Sequence, residues 1–177
     1  QWFVLCQLCR RAKEALLSPG GPAAWDVSLG GMGSSLVAGT RTYRFRREEV
    51  EALVLDGFFP VVDRDSPPPE RRRGIQEMGL HSAADPAVTR HLLQFLRDAA
   101  SLVGAPAGVP VTPSAILFNG GALLPAQVRQ RLCAVVGQWS SRAPVPELDA
   151  VDLNLAVSDG AAYYGLVRRG EGVRVRG

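Results

Sequence analysis

The stretch Ala115-Ile116-Leu117-Phe118-Asn119-Gly120-Gly121-Ala122-Leu123-Leu124-Pro125 constrains the fold more than any other part of the chain. Its four leading apolar residues are entered through Pro110 and Pro113 and left through a glycine pair. That pattern predicts a strand at 115–118 buried on both faces, the habit of parallel sheets. Pro125 is expected at the first position of a following helix, where its missing N–H would have had no partner. Val128, Leu132, Val135, Val136 and Trp139 recur at helical spacing and supply that helix with a buried face. Strand, glycine turn and helix in this order put the turn at the carboxyl end of the strand, where backbone N–H groups can meet an anionic ligand. A glycine pair also makes a plain tight turn, and spacing alone leaves both readings open.

At 177 residues, with 46% hydrophobic and 21% charged side chains, the chain can bury a core as one or two domains. Its apolar runs are too short to span a membrane, and no basic-then-apolar signal segment opens it, so a cytoplasmic location is expected. The formal net charge is +3, and Lys13 is the only lysine among 20 basic residues. The basic residues are scattered. Arg71-Arg72-Arg73 is their one cluster and has no interleaved aromatics, so it reads as a solvated loop and not as a nucleic-acid surface. Three cysteines are too few for a disulfide scaffold. Cys6 and Cys9 form a CxxC, but inside the helical pattern Phe3, Leu5, Cys6, Cys9, Ala12, Leu16, with no second CxxC, they read as small buried hydrophobes. His81 and His91 lack a neighbouring nucleophile motif and read as structural.

From its start the chain predicts a helix over residues 2–17, stopped by Ser18-Pro19-Gly20-Gly21-Pro22, with Arg10, Arg11, Lys13 and Glu14 on its exposed face. Alternating runs at 25–29, 35–38 and 40–45 predict a small antiparallel meander with one wet face. A helix follows, with Glu48 and Glu49 in its first turn and Val50, Leu53 and Val54 as its stripe. Residues 63–74 form a Pro- and Arg-rich exposed loop. Asp85-Pro86 predicts a helix start, as N-cap and first residue, and Val88, Leu92, Leu93, Phe95, Leu96, Ala99 and Val103 carry the pattern to Gly104. Asp152 is expected to cap a final helix ending at Arg168-Arg169, with Gly170 just beyond. The Gly160-Ala161-Ala162 patch suits close approach of another backbone, whether for packing or beside a ligand. Residues 172–177 alternate like a strand. Both ends look cut, which suggests a piece of a longer protein.

Three segments, taken together, resemble the ATPase domain of the DnaK-type, seventy-kilodalton heat-shock chaperone family. Cys9-Arg10-Arg11-Ala12-Lys13-Glu14-Ala15-Leu16-Leu17-Ser18 is similar to that family's helix C-E-R-A-K-R-x-L-S. The central strand with Asn119-Gly120-Gly121 is similar to V-G-G-S-T-R-I-P, and Asn154-Leu155-Ala156-Val157-Ser158-Asp159-Gly160-Ala161-Ala162 to D-E-A-V-A-Y-G-A-A. Order and spacing agree. Gly57-Phe58-Phe59-Pro60, Arg72-Arg73-Gly74-Ile75-Gln76-Glu77, Asp85-Pro86-Ala87-Val88-Thr89-Arg90-His91-Leu92 and Ala161-Ala162-Tyr163-Tyr164-Gly165-Leu166 resemble a branch of long bacterial DnaK-like proteins. The resemblance spans nearly the whole chain.

It implies an α/β chain of the actin-like ATPase (ribonuclease H-like) fold, of which this is the later part of the second lobe. Residues 1–104, with the loop 63–74 and a connecting helix 86–103, would be an incomplete outer subdomain. Residues 105–170 would be the inner subdomain, and 171–177 the start of a following strand. The implied ligand is ATP or ADP, with magnesium and the catalytic groups held by an upstream part. The implied partners are that missing first lobe, client proteins and co-chaperones. The family's adenosine pocket maps onto Arg10, Lys13, Glu14, Asn119, Gly120, Gly121, Leu123 and Asn154. Lys13 matches the lysine that holds the nucleoside, and Asn119, Gly120 and Gly121 match the turn beside phosphates and ribose. Four positions depart: Arg10 replaces a glutamate, Glu14 an adenine-packing arginine, Leu123 a second arginine, and Asn154 an acid. Two lost guanidiniums remove planar cations worth about 0.5–2 kcal/mol each. A pseudo-ATPase or regulatory interaction module, and a sugar-kinase-type enzyme of the same fold, are the other readings.

Overall fold

The computed structural model describes residues 2–30, 39–67, 85–106, 108–140, 144–149 and 152–173. It is mixed α/β, and the chain divides into two compact units, Gln1–Val111 and Thr112–Gly177. The run 35–38, the arginine cluster at 71–73, His81 and the alternation at 174–177 lie outside the described residues.

The first unit opens with α1 (Trp2–Leu17), which ends where Ser18-Pro19-Gly20 interrupts it. Strands β1 (Ala24–Gly30) and β2 (Thr40–Arg46) pair antiparallel, with Trp25 opposite Phe45 and Val27 opposite Tyr43. The wet face is built from polar cross-strand pairs. Arg44 grips Asp26 with two hydrogen bonds of 2.8 and 2.9 Å, and the Ser28 and Thr42 hydroxyls meet at 2.8 Å. The opposite face carries buried Val27 and half-buried Phe45, and Phe45 packs with Val54 against Leu16, Leu17 and Val50. Those last residues join α1 to α2 (Arg47–Phe58). Glu49 reaches back to accept the Arg46 N–H at 3.2 Å, which satisfies a donor that a helix start leaves unpaired.

This cluster lies at the carboxyl end of α1, and that corrects the burial expected along its first turns. Trp2 and Phe3 are 77% and 72% exposed, Cys6 is exposed, and Cys9 is only half-buried. Leu53 points away from the same cluster and is 68% exposed, so Val50 and Val54 alone form the α2 stripe.

Asp85 does not cap a helix at Pro86. Its carboxylate accepts the Ala87 N–H at 2.9 Å, and α3 begins later, at Val88, and runs to Asp98. The expected single helix 86–103 is instead α3 and a 3₁₀ segment, Ala99–Val103, closed by Gly104 at φ 67°. Thr89, Leu93, Leu96 and Ala100 are buried at one-turn spacing, while Val88, Phe95 and Val103 of the predicted stripe face out. Thr89 is held because its hydroxyl donates to the Pro60 carbonyl at 2.8 Å. Arg97 donates to the carbonyls of Ser66 and Arg64 and so ties the preceding loop to α3.

The second unit contains a strand–helix–strand arrangement. Strand β3 (Ile116–Leu117) leads through a 3₁₀ turn, Gly121–Leu123, into α4 (Ala126–Trp139) and then to β4 (Glu147–Leu148), which pairs parallel to β3. Val128, Leu132, Val135, Val136 and Trp139 are all buried, with Phe118 and Val145. Pro125 is the N-cap of α4, one position outside the helix, because the 3₁₀ turn takes up the residues before it. The expectation of a strand buried on both faces fails: Leu117 is 62% exposed, and a pair of strands cannot sandwich itself. The last helix, α5 (Ala156–Arg168), has no buried residue. It ends at Gly170, with φ 82°, where the N–H groups of Gly170 and Glu171 donate to Val167 and Leu166, the double bond of a Schellman stop. No close approach occurs at Gly160, since a Cβ built there meets nothing within 4 Å.

Candidate functional site

The residues singled out from sequence fall into two groups, one in each unit. In the second unit, Gly120 adopts φ 95°, a conformation open to glycine and strained for other residues. This bend turns the chain out of β3, and the Gly120 N–H donates to the Leu153 carbonyl at 2.9 Å. The turn therefore lies against the segment leading into α5. A Cβ on Gly121 would stand 3.2 Å from the Asn154 Oδ1, so the glycine leaves that amide its space. Asn119, Gly121 and Asn154 are exposed, and Leu123 is half-buried. Asn154 is itself set by Asp152, whose carboxylate accepts the Asn154 N–H at 2.7 Å. The Asp152 carboxylate thus closes a turn over 152–154, and α5 starts after it instead of directly on Asp152.

Arg129 is the residue that sequence reading passed over. Its Nη1 donates to the carbonyls of Leu123 and Leu124 at 2.9 and 2.6 Å, and its Nε donates to Glu147 at 2.6 Å. One half-buried guanidinium thereby ties the 3₁₀ turn, the first turn of α4 and β4 together. A cation in the first turn of a helix runs against the macrodipole, and that misfit was the available signal. Nearby Cys133 is buried, and burial, with the Glu147 charge, raises its thiol above the ordinary range.

In the first unit, Arg10, Lys13 and Glu14 are exposed on α1. Arg10 Nε donates to Glu14 Oε1 at 2.8 Å, an ion pair across one helical turn. The hydrogen bond from Arg10, helped by the charges of Arg10 and Lys13, holds the Glu14 carboxyl below its usual range against desolvation. The pair carries its two charges in the reverse order from the glutamate and arginine of the resembled motif. Of the histidines, His91 donates from Nε2 to the Asp85 carbonyl at 3.0 Å, a structural role.

Among the described residues no group of three or more His, Cys, Asp or Glu side chains could hold a metal ion, and no helix is long and apolar enough to cross a membrane. The chain matches no protein-family profile, no curated protein and no solved structure.

Proposed function

We propose that this chain is part of the nucleotide-binding domain of a DnaK-like, ATP-dependent chaperone and supplies one wall of its ATP cleft. The reading rests on the sequence resemblance. The single structural observation that carries it is the glycine turn after β3 lying against Leu153 and Asn154, which brings two of the resembling segments to one place in the second unit. The exposed Asn154 amide beside a positive-φ glycine, whose own N–H is taken by the Leu153 carbonyl, suits the ribose side of a nucleotide. By the resemblance alone, Lys13 would contribute a cation to the nucleoside. Magnesium ligands would come from the upstream part of the protein, and the actin-like fold belongs to the same proposal.

One observation favours a second reading, a pseudo-ATPase or regulatory module of the same fold. The Arg10–Glu14 pair puts a carboxylate where the family packs a guanidinium on adenine, so this wall has lost a stacking cation. Calorimetric titration with ATP and ADP separates the two. The ATPase reading expects measurable binding with a dissociation constant no tighter than about 0.1–1 mM, equivalent to roughly −4 to −5.5 kcal/mol, because only one wall of the cleft is present. Lys13→Ala should weaken it further and Gly121→Val should abolish it. No heat at millimolar nucleotide favours the regulatory module, and micromolar binding or phosphate release by the chain alone contradicts the single-wall proposal.

A further inference from the structure

The CxxC on α1 was expected to fill the core, and the structure leaves it without that role. Cys6 is exposed and Cys9 is half-buried, and both are free thiols. Both lie within α1, three residues apart, so they stand one above the other on one side of the helix. Side chains so spaced have Cβ atoms about 5–6 Å apart. A disulfide needs roughly 3.5–4.5 Å between Cβ atoms, which is shorter than this spacing. A metal–thiolate bond is roughly 2.3 Å long, and a linear sulfur–metal–sulfur unit spans about twice that, a distance two sulfurs on neighbouring turns can reach.

From this geometry we propose that Cys6 and Cys9 form a two-coordinate site for a soft monovalent cation, Cu(I). Thiolates select soft ions, and Cu(I) is satisfied by two of them in a line. Zinc requires four ligands, and the described residues offer no third. Binding breaks two S–H bonds, forms two Cu–S bonds, releases two protons and changes no oxidation state. The product carries one negative charge. Lys13 stands one turn beyond Cys9 and borders that charge, while Arg10, one turn beyond Cys6, is paired with Glu14. Neither Cys6 nor Cys9 is among the residues of the nucleotide proposal, so the metal site stands or falls separately from it.

The test is an anaerobic titration of the full chain with Cu(I) against a colorimetric Cu(I) chelator, with sedimentation to record mass. The expected result is one Cu(I) per chain, near-ultraviolet thiolate-to-copper absorbance and a mass equal to that of the metal-free chain at the same loading concentration. Cys6→Ser and Cys9→Ser should each abolish binding, and Cys133→Ser should retain it. Bound Cu(I) should also protect Cys6 and Cys9 of the unaltered chain from alkylation, which keeps the test valid if a variant misfolds. Retention of the metal by Cys6→Ser, one metal shared by two chains, zinc binding as tight as copper binding, or alkylation unaffected by Cu(I) would each overturn the site.

Discussion

Gly21 has no room for a side chain. A Cβ there would run into the Ala15 carbonyl oxygen and lie 2.7 Å from Ser18 Oγ and 2.8 Å from Arg47 Nη2, while the Gly21 N–H donates to Ser18. Arg47 fills the space instead, donating from Nη2 to the Ser18 carbonyl at 3.1 Å and so linking the end of α1 to the start of α2. Gly21→Ala should therefore destabilise the chain by about 1–3 kcal/mol, read as a lowered midpoint in urea. Gly160 is the opposite case. Its Cβ would stand in open space inside α5, so Gly160→Ala should stabilise by roughly 0.5–1 kcal/mol through helix propensity. Both glycines are visible in the sequence. Which of them is obligatory depends on what the chain folds against them, and neither the Ala15 carbonyl nor the Arg47 guanidinium is adjacent in sequence. For the same reason Gly160, expected to allow a close approach, meets nothing.

Helical periodicity located α1 and the buried face of α4, because those patterns are long and each repeats over several turns. It could not tell which half of α1 is covered, since cover is a tertiary fact set by Val50, Phe45 and Val54. Nor could four apolar letters reveal that β3 pairs over only two residues. The α3 start was misplaced because an aspartate before proline can cap a turn as well as a helix. Asp85 lies below its ordinary carboxyl range, first through the Ala87 N–H and then through Arg90, whose Nη1 sits 2.9 Å away, with desolvation opposing. Its folded value is depressed, so its contribution is complete above the unfolded value near pH 4 and is lost as pH falls through the folded value. We expect protection against amide exchange at Ala87 to Arg90 to fall relative to the rest of α3 on acidification below about pH 4, and Asp85→Ala to remove that pH dependence. For the candidate turn, Arg129→Met should cost on the order of 1–3 kcal/mol by leaving the Leu123 and Leu124 carbonyls short of a donor. Chemical-shift changes confined to residues distant from the turn would contradict that positioning role.

Across the whole molecule, hydrophobic composition and burial diverge. The sequence is 46% hydrophobic, yet α5 presents Val157 at 74%, Tyr164 at 61% and Tyr163 at 47% exposure, and α1 presents Trp2 and Phe3. A formal net charge of +3 spread over 177 residues gives little mutual repulsion between copies. Apolar surface without charge to keep copies apart favours association as concentration rises. Sedimentation of the purified chain should therefore show an average mass that increases with loading concentration, and more steeply in a salting-out sulfate buffer, which strengthens apolar burial. Val157→Lys and Tyr164→Lys together remove exposed apolar surface and raise the charge, so they should return the mass to that of a monomer. Because neither side chain is buried, the pair should change the thermal midpoint little, within about 0.5 kcal/mol of stability per site. A double variant that loses stability by several kcal/mol would mean that α5 is packed in the folded chain. One that associates as before would move the adhesive surface to the exposed first turns of α1, where Trp2→Lys is the matching substitution.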